Sequence, residues 1–219
     1  MAAGEELAAE QDYTERLARA RTGLKLLLVP VGLLFVVLTF VFMARRGLIE
    51  LGESEPRPVH GWGSIRLPNA LLAFNTLVLL ISSLSMEALR RASRRAAALA
   101  QVKTIPGVWV GEEKIRPWLA ATVALGLVFL SGQWQAWRIL AQRGFYISTN
   151  PSSSFTYLLT AAHAVHLAGG VVGLLWVALP LWRNRRPEQR SIRIEMLAWY
   201  WHFMALLWVY VLGLLEWGA

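Results

Sequence analysis

The chain has 219 residues, of which 56% are hydrophobic and 16% charged, with a formal net charge of +8 and a mean hydropathy of +0.44. A soluble domain would carry about a quarter charged residues; here five windows, 26–43, 67–86, 117–137, 155–182 and 196–215, hold no Asp, Glu, Lys or Arg, and each is long enough to cross the roughly 30 Å hydrocarbon core as a helix. This pattern excludes a soluble globular enzyme, a disordered chain and a nucleic-acid-binding domain, and zero cysteines exclude disulfides, thiolate metal sites, iron–sulfur clusters and thiol catalysis.

In chain order, residues 1–23 form a polar N-terminal segment with charges of both signs and no apolar stretch leading to a cleavage site, so they are read as a short polar helix at the membrane surface, not a signal peptide. A membrane domain over 24–219 follows, with helices at about 24–43, 67–89, 117–139, 155–182 and 196–217. Pro30 falls inside the first helix, where it should produce a kink. The second connection, RRASRRAAALAQVK, has helix-forming composition and suits the anionic inner leaflet. Sixteen Lys and Arg fall on the side of the N-terminus and six on the other. Basic loops stay cytoplasmic, so the N-terminus is expected in the cytoplasm and the C-terminus outside. The fold class is an all-α polytopic membrane protein with five transmembrane helices.

The windows contain three histidines, His163 and His166 on helix 4 and His202 on helix 5. Histidines on neighbouring helices are candidate haem or metal ligands; the competing reading is neutral imidazoles hydrogen-bonded between helices. With no carboxylate inside the windows to orient a ligand imidazole, the second reading is favoured and no cofactor is assigned to this chain. Replacing any one histidine should then weaken the packing between helices 4 and 5. Asn75, Thr76, Ser82 and Ser83 give helix 2 a polar stripe, and Gly169, Gly170 and Gly173 give helix 4 a small-residue face; both suit close helix packing. Tryptophans at 118, 134, 137, 176, 182, 199, 201, 208 and 217 are read as an interfacial belt. Arg183, Arg185 and Arg186, after helix 4, are candidate lipid-phosphate contacts, as is Arg21. Absent internal repeats disfavour a transporter built from inverted halves.

Helices 4 and 5 carry a resemblance. Glu195-Met-Leu-Ala-Trp199-Tyr200-Trp201-His202-Phe203, followed by Trp208 and Trp217-Gly218, resembles the last helix of subunit III of haem–copper oxidases, whose pattern is E-x-x-x-W-Y-W-H-F. Thr160-x-x-His163-x-x-His166-x-x-Gly169 is similar to the family's T-G-x-H-x-x-H-x-x-G, and Ser148 stands 15 residues before His163, at the family's spacing. Gln133 in helix 3, Asn75-Thr76 with Ser82 in helix 2, and Arg21-x-Gly23 add weaker matches. The likeness covers about residues 20–219 and fits the short, five-helix form of that family.

The resemblance implies a non-catalytic structural subunit of a respiratory enzyme in a bacterial inner (plasma) membrane. Its partners would be subunit I, which holds haem and copper, subunit II and phospholipids, with a larger respiratory supercomplex as a further setting. His163, His166, His202, Asn75, Gln133, Trp201 and Glu195 would then serve as interhelical structure. The alternatives are the related small membrane subunit of a nitric oxide reductase and an independent His-ligated membrane cytochrome. Three departures bear on proton uptake. Val31 and Ala205 stand where many family members carry acids, and Arg90 and Arg91 stand where many carry a histidine pair.

Overall fold

A computed structural model describes residues 2–52, 67–102, 115–147, 151–178 and 187–218. Five helices account for nearly all of them: α1 (Ala2–Gly52), α2 (Asn69–Val102), α3 (Ile115–Gln142), α4 (Pro151–Ala178) and α5 (Pro187–Gly218). All five are long and apolar enough to cross a membrane, and no strand occurs among the described residues. The chain is all-α, as the charge-free windows predict, because only a helix satisfies its own backbone in hydrocarbon.

The helices extend beyond those windows. The polar N-terminal segment is continuous with the first span, and helix assignment runs unbroken through Pro30. The arginine-rich connection after residue 89 is likewise the last part of α2. Ala, Arg and Leu propagate a helix well once lipid has nucleated it, so hydropathy marks the membrane-embedded part rather than the helix end. The starts are set by proline: Pro151 and Pro187 open α4 and α5, and Pro68 precedes α2. Proline suits this position because its missing N–H is one that no helix start can use. At the end of α3, Gly144 takes φ +81°, and the Phe145 N–H donates to Leu140 O at 3.0 Å. This left-handed cap ends α3.

Cross-helix bonds define the packing. Residue numbers rise together between α1 and α5, in the pairs Arg21–Glu195, Thr39–Tyr210 and Arg46–Trp217, so these helices run parallel. They run oppositely between α2 and α3, in Asn75–Phe129, Ser82–Thr122 and Ser85–Trp118, and between α2 and α5, in Thr76–Trp208 and Ser82–Trp201. Helix α5 packs on α1, α2 and α4 and is the centre of the bundle. Among the described residues helix α1 packs on α4 and α5, and it presents Leu26, Val29, Leu33, Val37 and Phe40 outward.

The core is aromatic. Trp201 and Trp208 are fully buried, which removes them from the interfacial belt to which the sequence assigns them. Their indole N–H groups donate to Ser82 at 3.2 Å and Thr76 at 3.0 Å. Trp118, Trp134, Trp176, Trp199 and Trp217 are exposed, as a belt requires; Trp182 lies outside the described residues. Of the helix 4 glycines, Gly170 and Gly173 face α5, where an added Cβ would lie 2.9 Å from Tyr200 and from Leu197, whereas Gly169 has nothing within 4 Å.

The tightest approach is between α3 and α2, where a Cβ on Gly132 would meet Asn75 Oδ1 at 2.0 Å. Gly132→Ala should therefore destabilise the chain by about 1–3 kcal/mol, while Gly169→Ala should stay within about 0.5 kcal/mol. Thermal unfolding of the two variants in one detergent checks this contrast.

Candidate functional site

Two polar layers hold the bundle. The first runs along α2. Ser82 accepts from Trp201 and donates to Thr122 O at 3.2 Å. Thr122 donates to Ser85 at 3.1 Å, and Ser85 donates to Trp118 O at 3.3 Å. Asn75 donates to Phe129 O at 3.3 Å and is fully buried. Each bond joins α2 to α3 or α5, so the predicted stripe on helix 2 is a three-helix seam. Such bonds contribute on the order of 0.6 kcal/mol each in membranes, but their geometry fixes which face of α2 points inward.

The second layer is charged and sits where α2 ends and α5 begins. Glu195 has only 3% of its side chain exposed. Arg94 Nη2 donates to its Oε1 at 2.7 Å and Arg94 Nε to its Oε2 at 3.0 Å, a bidentate fork. Arg21 Nη2 adds a third bond at 3.1 Å. Helices α1 and α2 do not otherwise pack together among the described residues, so Glu195 links both to α5. About two turns into the bundle, Glu87 takes two bonds from Arg90, at 2.7 and 2.8 Å, and one from Arg91 at 2.8 Å.

The three histidines diverge. His202 Nδ1 meets Ser83 Oγ at 2.5 Å, and its Nε2 lies 3.6 Å from Glu87 Oε2. This corrects the expectation that no carboxylate stands near an intramembrane imidazole: Glu87 is one residue beyond the charge-free window, and a helix continuing past that window brings it beside His202. His166 Nδ1 pairs with Ala162 O of its own helix at 2.7 Å, while its carbonyl accepts from Tyr200 OH at 2.7 Å, and its ring packs edge-on to Phe35 of α1 at 6.2 Å. His163 is fully buried, and neither ring nitrogen has a hydrogen-bond partner; its ring lies 5.8 Å from Phe129 and 5.1 Å from Trp208. Hydrogen bonding between helices 4 and 5 is therefore not what the imidazoles do. His202 bonds to α2, His166 to its own helix, and His163 is packed among aromatics. Among the described residues no three His, Cys, Asp or Glu side chains come together in a metal-holding group.

Gln133 is buried with an unpartnered Oε1, next to the seam and one position beyond Gly132. Val31 and Ala205 both pack into the core as apolar groups. Arg183, Arg185, Arg186, Ser148 and His60 lie outside the described residues. Sequence reasoning missed Glu87 and Arg94. Glu87 with Arg90 and Arg91 shows the i,i+3 and i,i+4 spacing that gives intrahelical ion pairs, which was a readable signal; the Arg94–Glu195 pair is 101 residues apart and leaves no local trace.

Two outcomes follow from this geometry. Glu195→Ala leaves Arg94 and Arg21 without their acceptor and should cost about 3 kcal/mol, with Arg94→Ala costing more than Arg21→Ala because it removes two bonds rather than one. Unfolding midpoints give the order, and limited proteolysis within α1 reports its release. For the histidines, His163→Leu should be neutral to within about 1 kcal/mol, since no hydrogen bond is lost. His202→Leu, which strands Ser83 beside a carboxylate, should be the more damaging. Equal yields of the two variants from membranes would contradict that order.

The chain is similar to bacterial proteins named cytochrome c oxidase subunit 3. It is 33% identical to that of Thermostichus vulcanus over 105 residues, covering 46% of this chain and 49% of the relative. It is 27% identical to that of Corynebacterium diphtheriae over 95 residues, or 43% and 46%. With that of Synechocystis sp. the match is 26% over 191 residues, 85% of this chain and 70% of the relative. The chain thus spans about half the length of the first two relatives in these matches. No protein-family model matches it. Over most of its length the chain is thus similar to bacterial proteins named cytochrome c oxidase subunit 3.

Proposed function

We propose that this chain is a non-catalytic subunit of a respiratory haem–copper oxidase, standing beside the catalytic subunit I, and subunit II, in a bacterial inner membrane. Its N-terminus is cytoplasmic and its C-terminus outside, following the basic-residue asymmetry. The haem and copper belong to partner subunits. Its own task is to present a rigid helical face to subunit I and to hold phospholipid at the cytoplasmic side through Arg183, Arg185, Arg186 and the half-exposed guanidinium of Arg21.

One observation carries this reading beyond the relatives' names: four motif side chains of α5 are spent on holding this chain together. Glu195 is taken up by Arg94 and Arg21, Tyr200 by the His166 carbonyl, Trp201 by Ser82 and Trp208 by Thr76. A catalytic or transport motif would leave its polar atoms facing a cavity or a path. Apolar Val31 and Ala205 at positions where many family members carry acids mean that no proton relay is assigned to these two places.

Affinity purification of the tagged chain from its own membranes in mild detergent tests the proposal. It should bring down a larger multi-helix subunit with a haem spectrum, and the chain separated from that partner should carry no haem. Tight haem binding by the separated chain, lost on His202→Ala, would establish the cytochrome reading instead.

A further inference from the structure

At the end of the bundle opposite Glu195, a cavity of about 480 Å³ opens between α3 and α4, lined by Trp134, Trp137, Arg138, Tyr146, Ile147 and Tyr157. We propose that it is a phospholipid site, with the lipid phosphate on the Arg138 guanidinium and the glycerol and upper acyl chain against the aromatic wall. The site does not depend on the oxidase reading, and it lies at the end of the bundle opposite Arg21.

Its framework is built by the chain itself. Trp134, Trp137, Arg138 and Ala141 fall at i, i+3, i+4 and i+7 and so share one face of the last two turns of α3. The Gly144 turn folds Tyr146 and Ile147 back over that face. Tyr157 OH donates to Phe145 O at 3.0 Å, with Trp137 O 3.3 Å from the same hydroxyl, and Trp137 Nε1 donates to Thr160 at 3.0 Å. These bonds pin Trp137 and Tyr157 in the wall. Arg138 is exposed, and no carboxylate lies within 4.0 Å of it among the described residues.

Charge complementarity selects the occupant. The lining carries one cation and no acid, so it suits a group bearing a negative charge. The wall is a T-shaped Trp134–Trp137 pair with ring centroids 6.3 Å apart, and Trp134, Tyr146 and Ile147 are all more than half exposed. The end of a spanning helix with exposed Trp and Tyr lies at the headgroup layer, where phosphate and the first methylenes of a lipid meet. Guanidinium binds phosphate oxygens in a planar fork.

The test uses membrane vesicles containing the full chain and a photoactivatable phosphatidylglycerol with its reactive group at the top of one acyl chain. Mass spectrometry reads labelling of residues 134–147 relative to residues 26–41 on the outward face of α1, so a variant that inserts correctly supplies its own reference. Arg138→Ala should lower that ratio about tenfold, the loss of one charge-assisted hydrogen-bonded contact, and Arg138→Lys should lower it no more than about threefold. Should Arg138→Ala fail to accumulate, Arg138→Gln is read on the same scale. An unchanged ratio in the neutral variant overturns the proposal. So does displacement of the label by excess inorganic phosphate, which would indicate a free-anion site, or cross-linking of 134–147 to a neighbouring protein in place of lipid.

Discussion

In hydrocarbon, a polar side chain without a partner is costly, and that constraint organises this chain. Helix α2 brings Asn75, Thr76, Ser82, Ser83 and Ser85 into the bilayer, and all five find oxygen or nitrogen partners on α3 or α5. A face so committed cannot rotate or slide without stranding several groups together. Helix α2 is therefore fixed against two neighbours at once, and α5, which also receives α1 and α4, is fixed with it.

The charged layer extends the same logic to the membrane edge. Glu195 is nearly inaccessible, yet two arginines reach it from α1 and α2, each about half exposed (51% and 47%). Their outer halves remain hydrated or near lipid phosphate, which lowers the desolvation cost of burying the carboxylate. Helix α1 depends on this arrangement; its other described bonds to α5 include the Thr39–Tyr210 contact at 2.7 Å and the Arg46–Trp217 carbonyl contact at 3.0 Å. The five helices thus form a tight unit of α2 to α5 with α1 strapped along one side by three polar ties.

The sequence showed much of this architecture and little of its interior chemistry. Charge-free windows revealed five spans because lipid penalises charge uniformly along them. They concealed the true helix ends, since the amphiphilic continuation of α2 past Glu87 obeys propensity rather than hydropathy. The tryptophans show where local reading stops. Trp134 and Trp201 look alike in sequence, yet one is exposed and the other enclosed beneath Ser82, a distinction that depends on which helix lies opposite. His163 and His202 differ in the same way. The motif grouped them, while packing placed one among aromatic rings and the other between a serine and a carboxylate.

The proposed function requires that the helix 4 and 5 motif residues hold the scaffold and take no part in the chemistry of the proposed complex. Trp201→Phe tests it most directly, since it keeps an aromatic ring in the core but removes the N–H that Ser82 accepts. The measurement is oxygen consumption per haem in complexes isolated with this variant, beside the amount of complex recovered. The account predicts less complex with unchanged turnover per haem. Full recovery of complex with lowered turnover per haem would contradict it.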